Sequence, residues 1–141
     1  MTTADTCRRE IEALHECFVD WFTGKTGADS FERVERALAP EFEMVTPQGV
    51  RRGYDDVVDG VRTSHGIHEP GTFDIEIRSV EVRTSGSEHA LVRYEEYQET
   101  PDGQTGRLST VLFEADADAP GDVVWVDLHE TWLDGHGPDE S

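Results

Sequence analysis

From residue 7 to residue 22 apolar side chains recur at three- and four-residue steps. Ile11, Leu14, Phe18, Trp21 and Phe22 carry this pattern, which predicts a helix with one buried face. Gly24 and Gly27 end it. Asp29 followed by Glu32 has capping-box spacing and predicts a short second helix through Leu38, closed by Pro40. Residues 41–46 read as a strand, Pro47-Gln48-Gly49 as its turn, and residues 50–52 as a return toward Gly53. A third helix follows from Tyr54 to Gly66, with Val57, Val58 and Val61 on one side.

Beyond Pro70-Gly71 the period changes to two, and strands are predicted at 73–84, 89–99, 106–114 and 122–132. Ser85-Gly86-Ser87, Pro101-Asp102-Gly103 and Ala119-Pro120-Gly121 are turn sequences, so adjacent strands should pair as an antiparallel meander. In the first of these strands the alternation Phe73, Ile75, Ile77 slips to Val80, Val82, which predicts a β-bulge near Ser79 and a bent sheet. The polar residues 134–141 read as a disordered acidic tail, leaving one domain over 1–133. Helices first and a bent meander afterwards give an α+β class: a cone-shaped curved antiparallel sheet with three N-terminal helices packed on its concave face.

This order of elements is similar to that of the nuclear transport factor 2-like superfamily, which includes the SnoaL-like and ketosteroid isomerase families. Leu38-Ala39-Pro40-Glu41-Phe42 running into Thr46-Pro47 and Gly53 carries part of the likeness. The rest lies in Trp125-Val126-Asp127-Leu128-His129-Glu130-Thr131, which resembles the Trp and His-x-Ser/Thr of SnoaL-like domains and of the calcium/calmodulin-dependent kinase association domain. The resemblance covers residues 7–133. It implies a pocket inside the cone and a homodimer through the outer sheet face, which an uncovered antiparallel face would also favour. The tyrosine, aspartate base and second acid of the isomerases fall on Phe18, Thr46 and Val111. No base or enolate donor stands at those places, so the resemblance does not extend to isomerase chemistry.

Charge narrows the setting. There are 31 acidic and 12 basic residues, Lys25 is the single lysine, and the net charge is −19. The acids are spread among the apolar residues along the whole chain, which implies a halophilic protein whose self-repulsion is screened where molar salt shortens the Debye length to about 3 Å. Nucleic acid and anionic membrane are excluded as partners, because both need clustered Lys and Arg. No apolar stretch approaches the roughly 20 residues that span a bilayer, and residues 1–9 lack an apolar signal region, so a cytoplasmic location is expected. Cys7 and Cys17 lie about 15 Å apart along a helix and read as reduced thiols.

Two rows of polar residues are candidates for chemistry. Arg93, Glu95 and Tyr97 share one side of a strand, and Asp127, His129 and Thr131 share one side of another. Facing inward, His129 with Glu95 or Arg93 could orient a water as in a hydrolase or lyase, with Phe18, Trp21 and Met44 as apolar walls and Thr46 at the strand end. Facing outward, the same row is a charged surface, and Ala90, Val92 and Tyr94 line the cone instead. Period two permits either face; the likeness of His129-x-Thr131 to the family's inward row favours the first. His65 and His68 have metal-ligand spacing but no third ligand, so no metal is expected. Gly24-Lys25-Thr26 follows a helix, and Val19 stands where a phosphate loop needs glycine, so no nucleotide cofactor is expected. The reading that follows is a SnoaL-like domain that binds a small, partly apolar molecule in its cone without an evident catalytic set. The alternatives are the hydrolase or lyase just described and an oligomeric assembly module.

Overall fold

A computed structural model describes residues 4–137. Helix α1 (Ala4–Phe22) is followed by a 3₁₀ turn (Ala28–Phe31), α2 (Glu32–Ala37), β1 (Leu38–Val45), β2 (Arg51–Gly53) and α3 (Tyr54–Arg62). The meander is β3 (Asp74–Ser85), β4 (His89–Thr100), β5 (Gly103–Ala115) and β6 (Val123–Trp132). The six strands form one curved, unclosed sheet in the order β2-β1-β6-β5-β4-β3. This is the expected α+β architecture, with one correction. The meander is antiparallel throughout, but β1 lies parallel to β6, because the free edge of the last strand accepts the strand that follows α2.

Among the element ends that differ from the sequence reading, α3 stops at Arg62 rather than at the expected Gly66, and the region of α2 differs for two local reasons. The expected capping box does not form: Ser30 bonds through both its amide and its hydroxyl to the Gly27 carbonyl, which closes a 3₁₀ turn ahead of α2. The second helix also stops before Leu38. Pro40 forces the residue before it toward extended backbone, and the chain enters β1 two residues ahead of the proline. Ser79, by contrast, has φ 57° at a register break between Arg78 and Glu81, so the predicted bulge sits where the phase slips.

The core lies between the helices and one sheet face. Ile11 and Leu14 of α1 and Val34 of α2 pack with Val92, Tyr94, Val111, Phe113 and Trp125 of the meander. Residues 134–137 turn back so that the Gly106 amide donates to the His136 carbonyl at 2.8 Å; residues 138–141 of the expected tail lie outside the described residues.

Candidate functional site

The cone encloses a cavity of about 180 Å³. Each element presents residues to it at its own period: Leu14, Phe18 and Phe22 from α1, Val57 and Val61 from α3, Phe42 and Met44 from β1. At the meander end the lining turns polar, with His15 from α1, Glu96 and Gln98 from β4, Arg107 from β5 and Glu130 from β6. A wider acidic groove of about 480 Å³, bordered by Glu12, Glu16, Asp74 and Glu76, also has His15 in its wall.

His15 is 6% exposed and Glu96 4%. The imidazole Nε2 lies 3.0 Å from Glu96 Oε1, and Nδ1 lies 2.7 Å from the Ile11 carbonyl. Neither oxygen can donate while Glu96 is ionised, so both ring nitrogens must, and the ring is an imidazolium. Burial opposes that charge, but the Glu96 carboxylate outweighs it and holds the His15 pKa above its ordinary value. The same pairing acts on Glu96, whose burial is overcome by His15 so that its pKa falls to about 2. Gln98 donates to the second Glu96 oxygen at 2.7 Å.

Glu130 is equally buried, at 4% exposed. It accepts from Arg107 Nη1 at 3.0 Å and from the Ser109 hydroxyl at 3.2 Å. Burial first, and then the Glu96 charge, push its pKa up against the pull of Arg107. The cluster thus holds two cations and two carboxylates. A general base for neutral pH needs a pKa near the working pH and a free lone pair. His15 has no free lone pair and Glu96 is too weak a base; Glu130, raised by burial and by the Glu96 charge, is already held by Arg107 and Ser109.

The sequence-derived candidates divide between the two sheet faces. Phe18 and Met44 line the cavity. Trp21 is buried beside it, donating its Nε1–H to the Val61 carbonyl at 2.7 Å, and Thr46 closes the β1–β2 turn with Val50. Arg93, Glu95, Tyr97 and His129 lie on the face away from the helices, alternating with the buried Val92, Tyr94, Glu96 and Leu128. Arg93 and His129 are exposed; Arg93 bonds Thr110, and Tyr97 bonds Glu95 at 2.7 Å under the Arg78 guanidinium. The expected convergence of His129 with Glu95 in the cone is therefore not what the chain forms.

A single residue explains the placement of His129. Leu112 pairs with Asp127, but Phe113 pairs with Trp125, so Val126 is an extra residue in β6. Counting by twos from the inward Trp125 puts Asp127 and His129 in the cone; the bulge moves Leu128 and Glu130 there instead. His15 and Glu96 did carry a signal. His15 stands four residues from Ile11 and three from Phe18 on the apolar stripe, and Glu96 extends the Val92, Tyr94 row by two. As for the paired histidines, His65 packs at a tilt against Trp21 and His68 stacks on Phe73.

The sheet, the helices laid inside it and the enclosed cavity define an NTF2-like protein. Residues 7–134 match the sucrose-6-phosphate phosphohydrolase C-terminal family, and the chain belongs to that family. Sucrose-phosphatase 1 of Nicotiana tabacum is 27% identical over 135 residues, which are 94% of this chain and 32% of the tobacco protein. This chain therefore spans about a third of the curated relatives it matches. An NTF-2 like protein of unknown function from Pseudomonas aeruginosa superposes with a TM-score of 0.83 at 32% identity, over 91% of this chain and 98% of that one. The S. rosetta CaMKII hub superposes with a TM-score of 0.67 at 14% identity, over 94% and 98%, a likeness of fold alone. No helix among the described residues is long and apolar enough to cross a membrane.

Proposed function

We propose that residues 1–133 act as one ligand-binding domain that takes up a small, partly apolar molecule in the cone, without an evident catalytic set. One observation carries this reading: the cavity has aromatic and aliphatic walls and, at one end, the buried His15, Glu96 and Glu130 with the part-buried Gln98 and Arg107. Apolar walls with few convergent polar groups are the usual make-up of a small-molecule site. At about 180 Å³ the space is below the roughly 300–1,000 Å³ of sites for drug-sized ligands, which favours a small occupant. A sugar phosphate, suggested by the names of the tobacco relatives, would bring many hydroxyls against Phe18, Phe22, Phe42 and Leu128, and suits these walls poorly. Thermal-shift screening of small acids, amides and alcohols tests the reading, with Val57→Phe as a variant whose larger side chain fills the cone. Hits expected in the wild type should vanish in Val57→Phe. Hits that persist unchanged in the filled variant, or none at all, would defeat it.

A second reading, assembly of copies through the outer sheet face, is favoured by the likeness to the CaMKII hub and by the half-exposed Leu91, Leu108 and Leu112 on that face. Sedimentation in molar salt measures it. A dimer is expected; a monomer at tens of micromolar concentration would remove the reading.

A further inference from the structure

Building on the cone-binding reading, we propose that the occupant is a small monocarboxylate with an apolar body, its carboxylate held by the Arg107 guanidinium. Arg107 is fixed on two sides. Its Nη1 donates to Glu130 at 3.0 Å, and its Cζ stands 5.0 Å from the Trp132 ring centroid. These contacts set the plane of the guanidinium and leave donors over. The Nε–H is buried and meets no acceptor, although the side chain lines the cavity. A guanidinium offers its donors as a fork that matches a carboxylate, and a charged donor left dry and unpaired is a costly feature for a protein to keep. This end of the cone therefore keeps one charged donor that the two carboxylates beside it do not satisfy.

The rest of the cavity selects the body of the ligand. Phe18 and Phe22 stack with centroids 5.7 Å apart, and Phe42, Met44 and Leu128 complete an apolar lining. A phosphate dianion fits less well, because Glu96 and Glu130 already supply two carboxylates beside a single guanidinium.

A further anion in this cluster also has a consequence for protons. Glu130 is faced by Arg107 and Ser109 on β5, by Glu96 and Tyr94 on β4 and by His15 on α1. An added negative charge at Arg107 makes the ionised form of Glu130 less favourable, so binding should take up a proton there. Affinity then rises as pH falls toward the range where the ligand's own carboxyl protonates.

Hexanoate and benzoate, set against hexanamide and benzamide, test the proposal on the whole chain in molar potassium chloride, where repulsion from the net charge of −19 is screened. Calorimetry gives affinities, and the ¹⁵N–¹H signal of Arg107 Nε reports contact. The acids should bind at least tenfold more tightly than their amides, shift the Nε–H signal, and bind more tightly at pH 6 than at pH 8. Arg107→Lys, which keeps the charge but loses Nε, should lower acid affinity more than amide affinity and so erase most of the acid preference. If that variant does not fold, the wild-type signal and the acid-to-amide ratio decide alone. Amides binding as tightly as acids, or an Nε–H signal that does not move, would overturn the carboxylate assignment and leave the cone-binding reading standing. If neither series binds and the broader screen also finds nothing, both fall.

Discussion

Two buried carboxylate clusters sit along α1, built from the same kinds of side chain, and they end differently. At one end Glu10, 1% exposed, gives both oxygens to Arg33 and one of them also to the Trp125 indole N–H at 2.9 Å. Gly121 closes over it so tightly that a Cβ there would lie 2.0 Å from Glu10 Oε1. Five residues on, His15 opens the second cluster, where Glu96, Glu130 and Arg107 surround a cavity and Arg107 keeps an unpaired Nε–H. Buried polar groups are normally satisfied, so the closed cluster reads as a structural joint between α1, α2 and β6. The open one has what a joint would not retain, a buried charged donor, the Arg107 Nε–H, without a partner. Satisfaction of the hydrogen-bonding inventory separates the two, where burial and charge do not.

The contrast breaks most sharply at Glu10. Glu10→Ala leaves the partly buried Arg33 without its carboxylate and the Trp125 N–H without an acceptor, and should cost about 3–5 kcal/mol, as loss of one partner from a buried ion pair does. Gly121→Ala should cost about 1–3 kcal/mol through overpacking against the same carboxylate. Urea denaturation in high salt measures both. A loss below 1 kcal/mol in Glu10→Ala would mean that the closed cluster is not a joint.

At the open cluster the expected effect is smaller and depends on pH. Glu96→Gln keeps the shape and one acceptor for His15, so a loss of about 1.5–3 kcal/mol is expected, the range for a hydrogen bond to a charged group. The folded-state pKa of Glu96 is depressed, so its contribution is present above the ordinary value of 4.5 and is lost as pH falls toward about 2. That of His15 is raised above 6.5, so its contribution is full below 6.5 and is lost as pH rises through the folded value. The stability difference between wild type and Glu96→Gln should therefore peak between pH 4.5 and 6.5 and shrink on both sides. The His15 pKa, followed by NMR, should fall in the variant. A difference flat from pH 3 to 9 would show that the pair is not ionised.

Salt sharpens the same distinction from outside. Melting temperature should rise by several degrees from dilute buffer to molar potassium chloride, because screening relieves repulsion among the surface acids behind the −19 charge. Buried pairs are screened far less, so Glu10→Ala and Glu96→Gln should show the same salt increment as the wild type. A flat melting temperature would remove the halophile reading, and an increment that differs between variants would place salt sensitivity inside the protein.

How much of this was legible depends on where the phase of the chain is marked. The bulge at Ser79 was readable because Phe73, Ile75, Ile77 and then Val80, Val82 show the slip in their own alternation. The bulge at Val126 was not, because Val123-Val124-Trp125-Val126 is apolar without a break and shows no phase to slip. The elements, the meander and the apolar walls at Phe18 and Met44 therefore follow from pattern. The polar half of the cavity does not. His15 and Glu96 are 81 positions apart, and only the fold sets an imidazole against a carboxylate at that separation.

The smallest expected effect tests which sheet face holds the site. His129→Ala and Arg93→Ala change residues that were candidates for the cone but stand on the outer face. His129 is exposed, and the Arg93 contact with the Thr110 hydroxyl at 3.2 Å is an exposed one. Surface substitutions away from caps, cores and buried pairs stay within about ±0.5 kcal/mol. Each variant should therefore match the wild type in urea, and small-molecule hits in the cone should keep their affinity. The result is informative because the two faces differ by one residue of register: were Val126 not an extra residue, His129 would point into the cavity and Glu130 out of it. A loss of cone binding in His129→Ala, with binding intact in Glu130→Gln, would mean that the strand runs in the other register and that the open cluster is built from different residues. Unchanged binding in His129→Ala, with altered binding in Glu130→Gln, fixes the bulge and the site together.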